Sequence, residues 1–187
     1  MTLPMRTLLS ILAISLLAGP VAAAPQPHKA AAPAKPHPAK TERAPEPKQI
    51  GQFEDWVAAT SSEHGQLICY ALTYAKHSAP ALPGREKVVM TVTERPSGRD
   101  AVAISAGFTY AANAAVTVQV DQTALDFYTA GRSAFARDGK AAVAIFGKAR
   151  DASARSPGPK NATVVDSFSL KGFSAAYAAI TKACPAK

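Results

Sequence analysis

Strict alternation of apolar side chains in the middle of the chain constrains its fold more than any other feature. Residues 88–93, 102–106 and 116–120 carry β-branched or other apolar side chains at every second position. A strand turns successive side chains to opposite faces, so each run predicts a strand with one face against a core. Because branched side chains also favour strands over helices, we expect a β-sheet here.

Turn signals between these and neighbouring runs predict β-hairpins, and hence antiparallel pairing. Pro96 and Gly98 fit a tight turn, which predicts a hairpin over residues 86–106. The other predicted strands are residues 56–61 paired with 66–76 across Glu63-His64-Gly65, residues 115–120 paired with 123–129 across Asp121-Gln122, and a late strand at residues 162–168.

Two segments have helical spacing instead. Asp138 is a suitable N-cap for a helix over residues 139–149. A second helix is predicted from Phe173, because Tyr177 and Ile180 continue its apolar stripe. The predicted fold is therefore mainly β: an antiparallel β-sandwich or barrel-like domain with two short α-helices, the last at the C-terminus.

The N-terminal residues have the layout of a secretory signal peptide. Arg6 precedes an apolar run at residues 8–18, Gly19-Pro20 breaks it, and small residues follow at 21–24. The apolar run is about half the roughly 20 residues that span a bilayer. We therefore predict that residues 1–23 are removed, that the mature protein has no transmembrane segment, and that it is periplasmic or secreted and associates with the envelope.

A change of composition separates this segment from the predicted domain. Residues 25–48 contain seven prolines and neither an aromatic nor a branched aliphatic side chain. Such a segment cannot bury enough apolar surface to fold. Residues 24–48 are therefore predicted to be a disordered linker rich in Pro, Ala and Lys, and residues 49–187 to be the folded domain.

The two cysteines of the chain are predicted to form a disulfide between Cys69 and Cys184. An oxidising compartment pairs thiols that can meet, and each cysteine lies on a predicted apolar face. The alternative is two separate buried thiols, since free cysteine packs well in protein cores.

A cluster of basic residues is the best candidate for an interaction surface. The formal net charge of +8 would suit a nucleic-acid-binding protein, but export makes nucleic acid an unsuitable partner. We predict a surface for an anionic ligand, either lipid or polysaccharide, because only Asp138 and Asp151 oppose the cations of this segment. The alternative is a solvated helix and loop. The predicted surface consists of Arg132, Arg137, Lys140, Lys148, Arg150, Arg155 and Lys160.

Sequence motifs of catalysis and cofactor binding do not occur in the chain. It has neither a G-x-S-x-G nucleophile elbow nor a glycine-rich phosphate-binding motif. We therefore predict no catalytic residue, no metal site and no cofactor.

Short motifs at the two ends of the predicted domain resemble one family. Residues 51–56, Gly-Gln-Phe-Glu-Asp-Trp, resemble the F-x-D-W opening of the invasion-associated locus B (IalB) family. Residues 169–176 resemble the S-L-x-G-F-x-x-A ending of that family. The matching positions are Phe53, Asp55, Trp56, Ser169, Leu170, Gly172 and Phe173. The resemblance covers about residues 50–184. It implies a β-rich domain outside the cytoplasm, no attached enzymatic activity and, for some members, a link to bacterial entry into host cells.

These features lead to three hypotheses about function. The first is an exported, non-enzymatic binding protein of the bacterial envelope, with an unidentified envelope or host partner. The second is a structural envelope protein that contacts the cell wall or outer membrane through the proline-rich linker, as a stalk, and through the basic surface. The third is an enzyme whose site the sequence does not reveal.

Overall fold

The computed structural model describes residues 46–186, so the predicted signal peptide and most of the predicted linker lie outside the described residues. This part of the chain contains eleven strands and two α-helices, with a short 3₁₀ turn at Pro159–Asn161. The strands are β1 (Lys48–Phe53), β2 (Trp56–Glu63), β3 (Gln66–Tyr74), β4 (His77–Ala79), β5 (Val89–Arg95), β6 (Gly98–Ser105), β7 (Ala115–Val120), β8 (Thr123–Ala130), β9 (Ser133–Ala136), β10 (Asp151–Pro157) and β11 (Thr163–Ser169), and the helices are α1 (Gly139–Phe146) and α2 (Phe173–Ala183).

The strands form a single antiparallel sheet in the order β1-β2-β3-β5-β6-β9-β8-β7-β10-β11-β4. β1 and β4 are its two edges, so the sheet is not closed. Only two residues separate β3 from β4, and the second of them, Lys76, donates its backbone N–H to the Ser167 carbonyl in β11 at 2.8 Å. The edge strand β4 thus lies beside β11 and directly follows β3, which is third from the other edge. The sheet therefore curls around its core.

The core lies on the inner face of the curled sheet, beneath the two helices. Alternate side chains point into it, as in β7, where Val116, Val118 and Val120 are buried and their neighbours are exposed. α1 packs against β6, and α2 packs against β1, β2 and β3. Neither helix of the described residues is long and apolar enough to cross a membrane.

The predicted fold class is confirmed: the protein is mainly β and antiparallel, with two helices and the last at the C-terminus. The three predicted hairpins are β2–β3, β5–β6 and β7–β8. The Asp138 carboxylate accepts the Ala141 N–H at 2.9 Å, as the predicted cap requires. α1 ends at Phe146, three residues before the predicted end.

Four strands have no counterpart in the sequence prediction: β1, β4, β9 and β10. β1 begins at Lys48, one residue before the predicted start of the domain. β9 and β10 lie in the basic segment, where the sequence predicts only the helix at residues 139–149. The inward positions of β10 are Ala152, Ala154 and Ser156, small side chains with little intrinsic strand preference. Pairing with β7 and β11 on either side therefore determines that this segment is a strand.

Candidate functional site

The two sequence motifs meet in space, although they lie at opposite ends of the domain. The Trp56 indole N–H donates to the Ser169 carbonyl at 3.0 Å, and the Asp55 N–H donates to the Lys171 carbonyl at 3.4 Å. The rings of Trp56 and Phe173 pack edge to face, with centroids 4.9 Å apart. We call this contact between the β1–β2 turn and the start of α2 the terminal clasp.

Gly172 allows the clasp to close. Its φ of +86° is a left-handed conformation that side chains with a Cβ rarely adopt, and a Cβ there would also clash with the Phe53 carbonyl. Leu170, two residues before it, is buried. The Asp55 carboxylate pairs with the Lys76 ammonium on the rim of the clasp. Hydrogen bonding from Lys76, and then from Ser169, lowers the pKa of Asp55, so this carboxylate stays ionised.

The predicted disulfide is confirmed. Cys69 in β3 and Cys184, the residue after α2, are bonded, with Cα atoms 5.9 Å apart. The bond joins positions separated by 115 residues and fixes the C-terminal end of α2 to the sheet. The clasp and the disulfide therefore hold the two ends of the same helix.

A fully buried carboxylate lies next to this disulfide. Glu94 in β5 is the cross-strand partner of Cys69, so both side chains point to the inner face. The Arg99 Nη2 lies 2.8 Å from Glu94 Oε2, and Arg99 Nη1 donates to the Cys184 carbonyl at 2.8 Å. Burial raises the pKa of Glu94, and the hydrogen bond from the Asp100 backbone N–H and then the charge of Arg99 oppose that rise. This pair of a buried carboxylate and a partly exposed arginine attaches the β5–β6 hairpin to the end of α2.

Asp100 extends this network to the middle of α2. Its backbone N–H donates to Glu94 Oε1 at 3.3 Å, and its carboxylate accepts the Tyr177 hydroxyl at 2.6 Å. Burial, followed by the hydrogen bond to Asp100, raises the pKa of Tyr177 to about 12. The phenol therefore stays protonated and acts as a hydrogen-bond donor between helix and sheet.

A cavity of about 230 Å³ opens beside the disulfide. Both of its arginines are ion-paired: Arg95 Nε lies 2.6 Å from Glu63 Oε2, and Arg99 is held by Glu94. Among residues 46–186, the cavity therefore offers apolar walls and no unpaired charge. Its lining consists of Leu67, Arg95, Pro96, Arg99, Ala183, Cys184, Pro185 and Ala186.

An ion pair with both side chains buried joins β11 to the loop before β5. The Arg85 guanidinium binds the Asp166 carboxylate through both terminal nitrogens, each at 2.8 Å, and the side chains are 6% and 3% exposed. Ser78 donates its hydroxyl to the same carboxylate at 2.6 Å, and Arg85 Nε donates to the Ala106 carbonyl at 2.6 Å. Because these groups are fully engaged with each other, removal of either partner would leave a buried charge unpaired.

The cations of the predicted basic surface are exposed, but they do not form one patch. Arg132, in the β8–β9 turn, is paired with Glu86 at 2.8 Å. Arg150 precedes β10 and Lys160 follows it, so the length of the strand, about 20 Å, separates them. Lys140 is on α1 and Lys148 follows that helix. The role of these residues in binding an anion stays a prediction.

Arg155 is the member of this group that lies within a shaped surface. It points outward from the middle of β10, with Thr117 of β7 opposite it on one side and Val165 of β11 on the other. Among the described residues, no carboxylate pairs with it. Thr117 and Arg155 line both of two adjoining depressions, of about 270 and 330 Å³. We call this surface the β7–β10 face. It comprises the outward side chains of Ala115, Thr117, Gln119, Ser153, Arg155 and Pro157, and the exposed Asp151 lies beyond Ser153 on the same side of β10.

An exposed aromatic side chain borders this face. Tyr128 of β8 is the cross-strand partner of Ala115 and is 45% exposed. Its ring stacks on Phe135 of β9, with centroids 5.5 Å apart. The Arg137 guanidinium lies 5.8 Å from the centre of the Tyr128 ring. Arg137 is thus the second predicted cation that lies near the β7–β10 face.

Among residues 46–186, no group of three or more His, Cys, Asp or Glu side chains could hold a metal ion. The predicted absence of a catalytic residue or cofactor stays a prediction.

The fold and the terminal clasp define a class: a curled antiparallel β domain whose C-terminal helix is attached at both ends. The model of the family described as "Invasion associated locus B (IalB) protein" matches residues 56–181. This match spans well over half of the chain, which therefore belongs to the IalB family. No curated protein matches the chain.

Among solved structures, the crystal structure of invasion associated protein b from Bartonella henselae is similar to this chain. The TM-score is 0.53 and the sequence identity 18%, and the similarity covers 71% of this chain and 95% of that one. At this identity the comparison shows a shared fold.

Sequence reasoning missed both ion pairs with a buried carboxylate, although strand alternation contains a signal for each. Glu94 continues the inward series of Met90 and Val92, and Asp166 lies between Val164 and Phe168 on the inner face of β11. A charged residue at an inward position of a strand predicts a buried, paired charge.

Proposed function

We propose that this chain is an exported, non-enzymatic binding protein of the bacterial envelope. Membership of the IalB family supports this proposal, and so does the disulfide, because such bonds persist in oxidising compartments. The single observation that carries the binding function is the β7–β10 face, where Arg155 is exposed between two depressions and pairs with no described carboxylate.

The distribution of charge favours binding over catalysis. The buried carboxylates Glu94 and Asp166 are each engaged by an arginine, so their charges join elements of the fold. Arg155, by contrast, has its guanidinium available at the surface, in the middle of a three-strand ladder that fixes its backbone. A rigid scaffold that presents a free charged group suits the recognition of a partner.

Cosedimentation of the purified mature protein with envelope particles tests this proposal. We expect the wild-type protein to sediment with the particles and Arg155→Gln to remain largely in the supernatant. Lys148→Gln is the matched control, since it also removes one exposed cation, and it should sediment like wild type. Absence of wild-type sedimentation, or equal loss in both variants, would contradict the proposal.

Deletion of residues 25–45 separates this function from that of a structural envelope protein held by its stalk. We expect the deletion to leave sedimentation unchanged, because the binding surface lies in the folded domain. Loss of sedimentation on deletion, with Arg155→Gln unaffected, would favour the structural role instead.

A further inference from the structure

We propose that the β7–β10 face, together with Tyr128, binds an acidic polysaccharide. This inference rests on the proposed binding function and names the chemical class of its ligand. Three features of the face carry it: a free guanidinium, a set of hydroxyl and amide side chains around it, and an exposed aromatic ring at its border.

The guanidinium supplies recognition of the acid group. Arg155 presents a planar fork of N–H donors, which matches both oxygens of a carboxylate. Its neighbours across the ladder, Thr117 and Val165, are uncharged, so an acidic group reaches Arg155 without meeting a like charge there. Asp126 lies one strand further away, as the cross-strand partner of Thr117. It is the carboxylate nearest to Arg155 in this row, and removing it should strengthen binding.

The surrounding side chains suit a ligand with many hydroxyl groups. Thr117 and Ser153 have hydroxyls within the depressions, and Thr163 lines the first of them. Gln119 donates its amide N–H to the Asp121 carbonyl at 2.8 Å, which fixes the amide and leaves its oxygen to accept a further hydrogen bond. Hydroxyls both donate and accept hydrogen bonds, as sugar hydroxyls do.

Tyr128 supplies a packing surface for a sugar ring. β8 lies between β9 and β7, and the Tyr128 ring stacks on Phe135 on the β9 side. On the β7 side its cross-strand neighbour is Ala115, whose small side chain lines the first depression. The apolar C–H face of a sugar can pack there, while the tyrosine hydroxyl stays in water.

The dimensions and polarity of the face favour an extended polysaccharide over a lipid surface. Three rows of outward residues, those of Ala115, Thr117 and Gln119, span about 13 Å along β7. The other exposed large apolar side chains of the described residues are Ile50, Leu67 and Tyr74, and none of them lies on β7, β8 or β10. A membrane would therefore contact a polar face with a single aromatic ring, which offers little apolar surface for insertion. A sugar chain can form hydrogen bonds or packing contacts in all three rows.

Isothermal titration of the mature protein with polygalacturonate tests the proposal, with dextran as the uncharged polysaccharide. We expect polygalacturonate to bind, dextran to bind far more weakly, and added salt to weaken binding. Arg155→Gln and Tyr128→Ala should each weaken binding about tenfold, as the loss of one charge-assisted hydrogen bond or one packed ring implies. Asp126→Asn should strengthen it.

Arg132→Gln is the matched control, because Arg132 is an exposed arginine outside this face, and it should bind like wild type. Thermal unfolding of each variant establishes that it is folded. No binding of polygalacturonate, equal weakening by Arg132→Gln, or full binding by Tyr128→Ala would overturn the proposal. So would binding to vesicles containing phosphatidylglycerol that is stronger than binding to polygalacturonate and is lost in Tyr128→Ala.

The two proposals fail in different ways. If polygalacturonate does not bind but sedimentation with envelope particles still depends on Arg155, the ligand class is wrong and the binding function stands. If sedimentation does not depend on Arg155 either, both proposals fall.

Discussion

Individual residues of the two family motifs hold the domain together. Trp56 combines a hydrogen bond to the Ser169 carbonyl with edge-to-face packing on Phe173. Position 172 requires glycine, because its backbone has a left-handed φ and lies close to the Phe53 carbonyl. The motif residues therefore have structural roles. The proposed ligand-binding residues Arg155 and Tyr128 lie outside the motifs.

Replacement of Gly172 by alanine should destabilise the protein far more than the same change at Gly131. Both glycines have positive φ, +86° and +59°, but only Gly172 has backbone atoms where the Cβ would lie. We expect Gly131→Ala to lower the free energy of unfolding by about 1 kcal/mol and Gly172→Ala to lower it by at least about 3 kcal/mol. Denaturant unfolding measures both. Equal losses would show that the clasp tolerates the added methyl group.

Single elements were predictable where their sequence carries a strong local pattern. The valine-rich alternation of β5 and β7 and the cap at Asp138 gave correct strands and a correct helix start. β10 has alanine and serine at its inward positions, so its identity depends on strands far away in the sequence. Alternation places Glu94 and Asp166 inside, but their partners Arg99 and Arg85 follow only from the fold.

Glu94, which lies where the β5–β6 hairpin is attached to α2, should make the free energy of unfolding depend on pH. Because the pKa of Glu94 is raised in the folded protein, the folded state keeps this proton at pH values between the two pKa values, where the unfolded state has lost it. The contribution of Glu94 to the free energy of unfolding is therefore largest below the unfolded pKa of 4.5 and falls as the pH rises towards the folded pKa.

The variant Glu94→Gln isolates this contribution. We expect the free energy of unfolding of wild type, relative to Glu94→Gln, to fall as the pH rises from about 4 towards neutral. Chemical unfolding at a series of pH values measures the difference. Glu63→Gln is a control of opposite sign, because hydrogen bonding and charge attraction from Arg95 lower the pKa of Glu63. A difference for Glu94→Gln that rises with pH would show that the Asp100 backbone N–H and Arg99 together outweigh burial.

Across the whole molecule, charged side chains have two roles, one structural and one proposed for binding. Ion pairs within the fold attach strands and helix to one another, while the β7–β10 face leaves Arg155 free at the surface. The basic cluster in the sequence pointed to this region. It could not show that Arg155 alone lies between Thr117 and Val165, because cross-strand neighbours depend on sheet order and register. Tyr128 was likewise predicted on a strand, but its place beside Ala115 required the β7–β8 register.

Amide shift mapping by NMR tests the location of the binding site most directly. Spectra of the ¹⁵N-labelled protein would be recorded with and without the polysaccharide fraction of a bacterial envelope. We predict shift changes concentrated on β7, β8 and β10, around Thr117, Tyr128 and Arg155, and their loss in Arg155→Gln. Changes concentrated around the cavity beside Cys184, or an unchanged spectrum, would contradict a binding function on the outer face of this sheet.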